Sequence, residues 1–520
     1  FALSETILSS YSQNEILLDT KVVGSFYNKD ELLLSNSLDN IINKNTNAAL
    51  VYQKYFDGTF IYNGVALENN IYLDNIKLSG INPIIYASLI NTNFLNRIEI
   101  VANNASLFNG YPETEKINLF SNKGKNRFNV DLFTSNQKVS LSSYYNGRVN
   151  ISSALLDSIN YFLSFSKTNN IDGNKSDPNI NYPIGDFFNF YGTSQFVINK
   201  SQSFNLSYLF VQSEQAPSLT HDVFNTIFDI YSTNYNLLNI NLNSITRFSK
   251  NENLSISFTY NKSKKHESFS ENDLNNSTNN FTTLIKFKTS FSKNINFNIG
   301  YQNNYYVTDY SNSQYFERDH SLNVAFDMLF KKLSISPFFS LVYYDKNKFL
   351  SLPGVNVSYK TSENSNLVFN YSVGYNKTNT EKTIEANYKD NMYWETIGKY
   401  RPELYKNLSI TFRYTDFDFY SIELSAYQIN YENVLKRTLL ATNEFHSYKL
   451  INYEKIITNG SSLYLKLTPV RNITISVNYS FQDVKDGHSN KLKLRAEHSG
   501  FSTLQYKNYT MGLKATFELR

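Results

Sequence analysis

From about residue 127 onward the sequence alternates apolar and polar side chains with a period of two, which limits the fold more than any other feature. Residues 254–260 place Leu, Ile, Phe and Tyr on one face and Ser, Ser and Thr on the other, and residues 473–481 repeat the pattern. Such alternation gives a β-strand one apolar and one polar face. The runs reach about 9–11 residues, the length of a tilted membrane strand, whereas ordinary strands have about 5–6.

Two details of these runs favour a membrane barrel over a soluble protein. The polar face is mostly Asn, Ser and Thr, which suits a water-filled or plugged interior, and Tyr or Phe often ends the apolar face, as at a lipid interface. The alternative is a soluble β-sandwich or repeat adhesin, which needs regular turn signals, but the 520 residues include only 18 Gly and 9 Pro. The sequence therefore predicts an all-β membrane protein, an antiparallel transmembrane β-barrel of roughly 20–22 strands.

Composition excludes several other classes of protein. The net charge of +4 is scattered along the chain, so no nucleic-acid partner is expected, and the absence of Cys excludes disulfides and thiolate chemistry. The longest apolar run, residues 81–90, contains Pro83 and is too short for a membrane helix, which needs about 20 residues. The first residues lack a secretory signal, so we expect the numbering to begin at a mature N-terminus. The six His lack metal-ligand spacing and no catalytic motif is present, so no enzyme, metal or cofactor is expected.

The connections between the runs are predicted to differ in length at the two ends of the barrel. Polar stretches at about 168–187, 212–232, 262–278 and 376–400 are interpreted as long external loops. Residues 135–137, 146–148 and 345–347 are interpreted as tight turns. Short periplasmic turns and longer external loops are typical of outer-membrane barrels.

Residues 1–126 have a different character. Residues 29–43 are amphipathic, and Ser35 or Ser37 is a candidate cap for a short helix there. Extended runs follow at 59–62, 71–73, 97–101 and 116–121. A small mixed α/β domain before a barrel predicts a plug in the lumen. We therefore divide the chain into an N-terminal extension (1–15), a plug domain (16–126) and a transmembrane β-barrel (127–520).

Several fragments, in order, resemble the TonB-dependent receptor family of the bacterial outer membrane. Residues 71–78 are similar to the family's "yvDGvpl" segment and residues 95–101 to its "veRIEV" strand. The other similar fragments are residues 37–42, 105–110, 116–123, 401–404, 458–467 and 472–481. The resemblance implies a 22-stranded barrel with an N-terminal mixed α/β plug, located in the outer membrane and importing a scarce ligand with energy relayed by TonB.

The resemblance also implies a TonB box near the N-terminus, a segment that docks on TonB by adding a strand to it. The matching residues, compared with "ETxVV", are Glu5, Thr6, Ile7, Leu8 and Ser9. The alternative interpretation is an ordinary tail that contains two aliphatic residues. The family also implies a plug apex loop near residues 80–87, where Asn82 and Tyr86 either face a ligand or pack within the loop.

The sequence departs from the family at a group of four charges. Members commonly hold the plug with two plug arginines that face two barrel glutamates. By resemblance, the corresponding positions here are Asn63, Ala102, Ser409 and Ser462, so all four charges are missing. Removing one member of a buried ion network leaves its partner buried without a counter-charge, which destabilises the fold by about 3–5 kcal/mol. Replacing all members with neutral groups can be nearly neutral. We therefore expect neutral hydrogen bonds to hold the plug.

Two functions are compatible with these features. The first is a transporter that binds TonB and an unknown small ligand within outer-membrane lipid. The second is a plugged barrel that has lost transport and serves as a structural subunit, paired with a lipoprotein or another outer-membrane protein. Lean loops and the missing charges favour the second, whereas the TonB-box candidate and the order of the family fragments favour the first.

Overall fold

A computed structural model describes the strands given below together with residues 74, 200–201, 248–249, 251–252, 293–294, 331–332, 361–364, 402, 419, 472, 487–489 and 497. The N-terminal strands are β1 (Val23–Asn28), β2 (Ala48–Gln53), β3 (Phe56–Tyr62), β4 (Val65–Leu67), β5 (Ile71–Leu73), β6 (Ile76–Lys77), β7 (Leu95–Ala102) and β8 (Lys116–Ser121). The later strands are β9 (Asn129–Val139), β10 (Ser142–Leu156), β11 (Ile159–Asn170), β12 (Gly185–Asn199), β13 (Gln202–His221), β14 (Ile227–Arg247), β15 (Asn253–Ser268), β16 (Asp273–Ser292), β17 (Ile295–Tyr310), β18 (Ser313–Phe330), β19 (Leu333–Asp345), β20 (Lys348–Lys360), β21 (Ser365–Asn376), β22 (Glu403–Asp416), β23 (Tyr420–Ala441), β24 (His446–Val470), β25 (Ile473–Asp486), β26 (His498–Asn508) and β27 (Leu513–Leu519).

Strands β9 to β27 form one large antiparallel sheet. Each strand pairs with the next one along the chain, so the described residues contribute nineteen strands in sequence order. Antiparallel neighbours need only short connections, which is why consecutive strands lie side by side. The large antiparallel sheet agrees with the predicted fold class, and the count of 22 strands stays a prediction.

The large sheet has the reverse of the burial pattern of a soluble protein. On β22, Asn407 and Ser409 are 2% and 6% exposed, whereas Leu408 and Ile410 are 44% and 46% exposed. Many other large apolar side chains on the same side of the sheet are exposed as well. We call the polar, buried side the inner face and the apolar, exposed side the outer face. An apolar face left open to its surroundings is what a strand needs in lipid.

Neutral hydrogen bonds between adjacent strands cover much of the inner face. The Thr282 hydroxyl donates to Asn304 Oδ1 at 2.7 Å, and the hydroxyls of Ser255 and Ser257 donate to Asn243 Oδ1 at 2.8 and 3.1 Å. Polar side chains held in this way satisfy each other without a net charge.

Two of the four predicted long loops are wrong, because strands run through them. The stretch 212–232 belongs mostly to β13 and β14, and 262–278 mostly to β15 and β16, with only 222–226 and 269–272 outside the described residues. The turns predicted at 135–137 and 146–148 also lie inside strands, β9 and β10, whereas β19 and β20 pair up to Asp345 and Lys348, which agrees with the turn predicted at 345–347. A polar stretch therefore does not end a strand here, because the pairing of neighbouring strands continues into it.

The N-terminal strands form two small sheets. One has the order β1-β7-β8-β5-β6, with β5 and β8 parallel, and the other has the order β2-β3-β4. Ile98 and Leu119 are fully buried in the first, which supplies its core. All four predicted extended runs lie in strands, β3, β5, β7 and β8. The predicted helix at Ser35 or Ser37 lies outside the described residues, and the domain boundaries stay predictions.

Among the residues that the structure describes, none forms a helix long and apolar enough to cross a membrane.

Aromatic rings cover glycines across strand pairs of the large sheet. Gly374 lies directly opposite Tyr405, and a Cβ at Gly374 would overlap the phenol ring. The ring has little room to move, because Tyr405 is 3% exposed and packs against Ile429 and Tyr431. Pairs of this kind let a sheet curve while its surface stays filled.

We expect Gly374→Ala to destabilise the protein by about 1–3 kcal/mol, because the added methyl group overpacks the site. The matched control is Gly300→Ala, also on the inner face, where the nearest atom to a new Cβ is 3.7 Å away. The control is expected to be neutral or stabilising by up to about 1 kcal/mol. Urea unfolding in detergent micelles measures both; equal stabilities would contradict the close approach.

Candidate functional site

A buried contact between the N-terminal sheet and the large sheet is centred on Asp74. This residue occupies the tight turn between β5 and β6 with a φ of 49°, a left-handed conformation that Asp tolerates better than most residues. Its backbone N–H donates to Leu119 O at 2.8 Å, which fixes the turn against β8. The turn therefore holds the carboxylate in a fixed direction.

The Asp74 carboxylate accepts hydrogen bonds from both sheets. Ser121 donates twice, from its backbone N–H to Oδ1 at 3.0 Å and from its hydroxyl to Oδ2 at 2.7 Å. The phenol of Tyr191, on β12 of the large sheet, donates to Oδ2 at 3.0 Å. One carboxylate thus links the end of β8 to the inner face of the large sheet.

Tyr191 is held in place by its own packing. It is 1% exposed and its ring lies 6.3 Å from that of Phe162 on β11, at an interplanar angle of 52°. A hydrogen bond to a charged acceptor contributes roughly 1.5–3 kcal/mol, more than a neutral one. We call Asp74, Ser121 and Tyr191 the junction. It has the chemistry of a contact that holds two units together, because donors from both sheets converge on one carboxylate.

The sequence did not identify the junction. Asp74 belongs to residues 71–78, which resemble a family segment, and that match could have marked its position. Nothing in the sequence distinguishes Tyr191 from the other 40 tyrosines. The expected neutral hydrogen bonds between the units are therefore wrong at this point, since the acceptor here is a carboxylate.

Several predicted site residues lie outside the described part of the chain. These are the TonB-box candidates Glu5, Thr6, Ile7, Leu8 and Ser9, the apex candidates Asn82 and Tyr86, and the lock position Asn63. Their roles stay predictions.

The other three lock positions are on strands. Ala102 ends β7, opposite Val23 of β1. Ser409 is buried on the inner face of β22, and Ser462 lies on β24 opposite Ser425 of the intervening strand β23. Around them the inner face is hydroxyl-rich, with Thr411 and Ser425 oxygens 3.0 Å apart. Whether these positions replace a family lock stays a prediction.

A buried ion pair lies on β22 two residues beyond Thr411. Arg413 Nε donates to Glu423 Oε2 at 2.8 Å, and the Arg413 side chain is 3% exposed. Both partners belong to the large sheet, so the pair is a contact within its wall.

A cavity of about 360 Å³ lies against β15 to β18. Inner-face residues that line it include Lys286, Asn298, Gly300, Asn323 and Asp327. Leu284 and Ala325 line it as well, so its wall is partly polar and partly apolar. In the described part of the chain, no three His, Asp or Glu side chains group as metal ligands do.

The fold is shared with receptors of known structure. The siderophore receptor PirA from Pseudomonas aeruginosa superposes with a TM-score of 0.74 at 12% identity, over 93% of this chain and 87% of that one. The ferric enterobactin receptor PfeA from the same organism, as a variant in complex with enterobactin, gives 0.76 at 13%, over 94% and 85%. The alcaligin outer-membrane receptor FauA from Bordetella pertussis gives 0.71 at 10%, over 94% and 85%.

No protein-family model matches the sequence, and no curated protein matches it either. The structural likeness, at these identities, confirms the predicted resemblance to TonB-dependent receptors at the level of the fold.

We expect Tyr191→Phe to loosen the N-terminal sheet while the large sheet stays folded, because it removes one hydroxyl and keeps the ring. Asp74→Asn should act in the same direction, and the double variant should be less destabilised than the sum of the two, since both remove one interaction. Hydrogen exchange of β7 and β8 measures the effect, expected at roughly 1.5–3 kcal/mol.

The control is Tyr208→Phe on the neighbouring strand β13. Tyr208 lies opposite Gly192, on the other face of the sheet from Tyr191. Strictly additive effects of Asp74→Asn and Tyr191→Phe, or an equal effect of the control, would contradict the junction.

Proposed function

We propose that this protein is an outer-membrane receptor of the TonB-dependent kind, in which the large sheet closes as a barrel around the N-terminal sheets as a plug. The strand order, in which β27 lies next to β9, supports closure. The observation that carries the proposal is the junction, because it attaches the N-terminal sheet to the inner face rather than the outer one.

The proposed activity is import of a scarce nutrient. TonB binds the segment from Glu5 to Ser9 by strand addition, and the pull is transmitted to the plug. The junction is then a contact that must break before the plug moves. Its single charged acceptor makes this step cheaper than breaking a buried four-charge network, in which each stranded charge costs several kcal/mol.

The proposed ligand class is an iron–siderophore chelate. Siderophores appear in the names of the structurally similar receptors PirA and PfeA. Asn82 and Tyr86 are proposed to contact the ligand from the plug apex, and the polar inner face supplies neutral hydrogen-bonding groups along its path.

The test is uptake of radio-iron loaded on catecholate and hydroxamate siderophores by cells that carry the protein as their only such receptor. Ile7→Pro removes a backbone donor from the docking strand and is expected to abolish uptake while surface binding persists. Ile7→Ala keeps the N–H group and serves as the control, with uptake expected within a few-fold of the original.

Unchanged uptake by Ile7→Pro would contradict the docking segment. The scaffold alternative makes a different prediction: protein extracted gently from native outer membranes would carry a stoichiometric lipoprotein or second barrel and no ligand, as seen by mass spectrometry. A small chelate or TonB in stoichiometric amount would support the receptor.

A further inference from the structure

Five short turns at one end of the large sheet each place a cation beside an exposed apolar side chain. They connect β12–β13, β14–β15, β16–β17, β18–β19 and β20–β21, which makes them neighbours along the rim. We call their exposed basic residues the turn cations: Lys200, Arg247, Lys293, Lys331, Lys332 and Lys360.

An apolar side chain accompanies each turn. Ile198, Phe248 and Phe291 are 61%, 62% and 67% exposed, and Phe330 and Tyr359 are 49% and 45% exposed. Each lies one or two residues from a turn cation in the sequence. Apolar and aromatic side chains with a cation at their outer edge are the pattern of a membrane interface, where the ring is in the acyl boundary and the charge is at headgroup level.

Backbone hydrogen bonds hold adjacent turns together. The N–H of Arg247 donates to Ser201 O at 2.7 Å, and the N–H of Lys360 donates to Lys332 O at 2.8 Å. Leu329 donates likewise to Asn294 O at 2.8 Å, beside Lys293. These bonds fix the backbone positions of the turns that they join along the rim.

The row has an excess of positive charge. Within the described turns the acids are Glu252 and Glu363, and Glu252 accepts a hydrogen bond from the Thr289 hydroxyl at 3.2 Å. Among the described residues no ion pair involves a turn cation. Adjacent like charges repel, so an anion between them would be bound favourably.

The row ends at a neighbouring turn that carries only half of the pattern. Phe419, between β22 and β23, is 59% exposed but lies beside Asp416 and Asp418 in the sequence. The acidic residues at this turn interrupt the row on that side.

We propose that the turn cations bind the phosphate groups of anionic phospholipids in the membrane leaflet at this end of the barrel. The inference rests on the membrane placement in the proposed function. Short turns lie at the periplasmic end of outer-membrane barrels, which assigns the site to the periplasmic leaflet. Each cation near an anionic surface contributes about fivefold to binding. The contribution falls at high salt, because the Debye length shrinks from about 10 Å at 0.1 M to about 3 Å at 1 M.

The experiment places the full chain in nanodiscs of phosphatidylcholine alone or mixed with phosphatidylglycerol, and counts the lipids retained after release into detergent by native mass spectrometry. The original protein is expected to retain phosphatidylglycerol over phosphatidylcholine by at least about tenfold at low salt. The triple variant Lys331→Gln, Lys332→Gln, Lys360→Gln is expected to lose most of that preference. The matched control Lys262→Gln, Lys264→Gln, Lys348→Gln removes the same charge at the other end of the strands and is expected to keep it.

Retention of the preference in the Lys331/Lys332/Lys360 variant, or its equal loss in the control, would overturn the inference. So would the lack of any preference in the original protein, which would leave the proposed function intact. A chain that does not enter the bilayer at all would overturn the membrane placement, and this inference with it.

Discussion

Backbone hydrogen bonding is the constraint on which the rest of this structure depends. A strand in hydrocarbon has no water to satisfy its N–H and C=O groups, so every strand must pair on both sides. In the large sheet each strand from β10 to β26 meets this requirement by pairing with both of its sequence neighbours. Because the backbone provides the cohesion, the side chains are free to reverse the usual order, with Asn407 and Ser409 inside and Leu408 and Ile410 outside.

This reversal also explains the nature of the interior. An inner wall of Asn, Ser and Thr is wettable, yet its groups bond mainly across adjacent strands, as Thr282 does to Asn304. Such a wall offers few charged groups that could bind the N-terminal sheet. The junction has one charged acceptor, Asp74, whereas TonB-dependent receptors commonly use four charges. Tyr191 contributes a neutral donor, so it adds no second charge. Breaking the bond to Tyr191 would leave the Asp74 carboxylate its two hydrogen bonds from Ser121, so no ion would lose all of its partners.

The sequence predicted the fold class and much of the strand pattern, because period-two alternation follows directly from strand geometry. The prediction is wrong where a polar stretch forms strands. Residues 212–232 are polar, which predicts a loop, yet β13 and β14 pair through most of them. Registers involve residues far apart in the chain, so the meeting of Asp74 with Tyr191, 117 positions away, left no local pattern to find. The row of turn cations has no local sequence pattern for a similar reason. Basic residues at turns about 30–50 residues apart become neighbours only when the sheet aligns those turns.

The number of strands has a mechanical consequence. In a sheet where each strand reverses the direction of the last, the first and nineteenth strands run the same way, so β9 and β27 are parallel. If these two meet directly, they form a seam with slanted, slightly weaker hydrogen bonds than the antiparallel pairs elsewhere in the wall. An odd number of additional strands between them would restore the antiparallel pattern, and three would bring the count to 22. β27, with 7 residues, is the shortest strand of the described wall. If β9 and β27 pair directly, separating them would break no more backbone hydrogen bonds than separating any other two neighbouring strands of the wall.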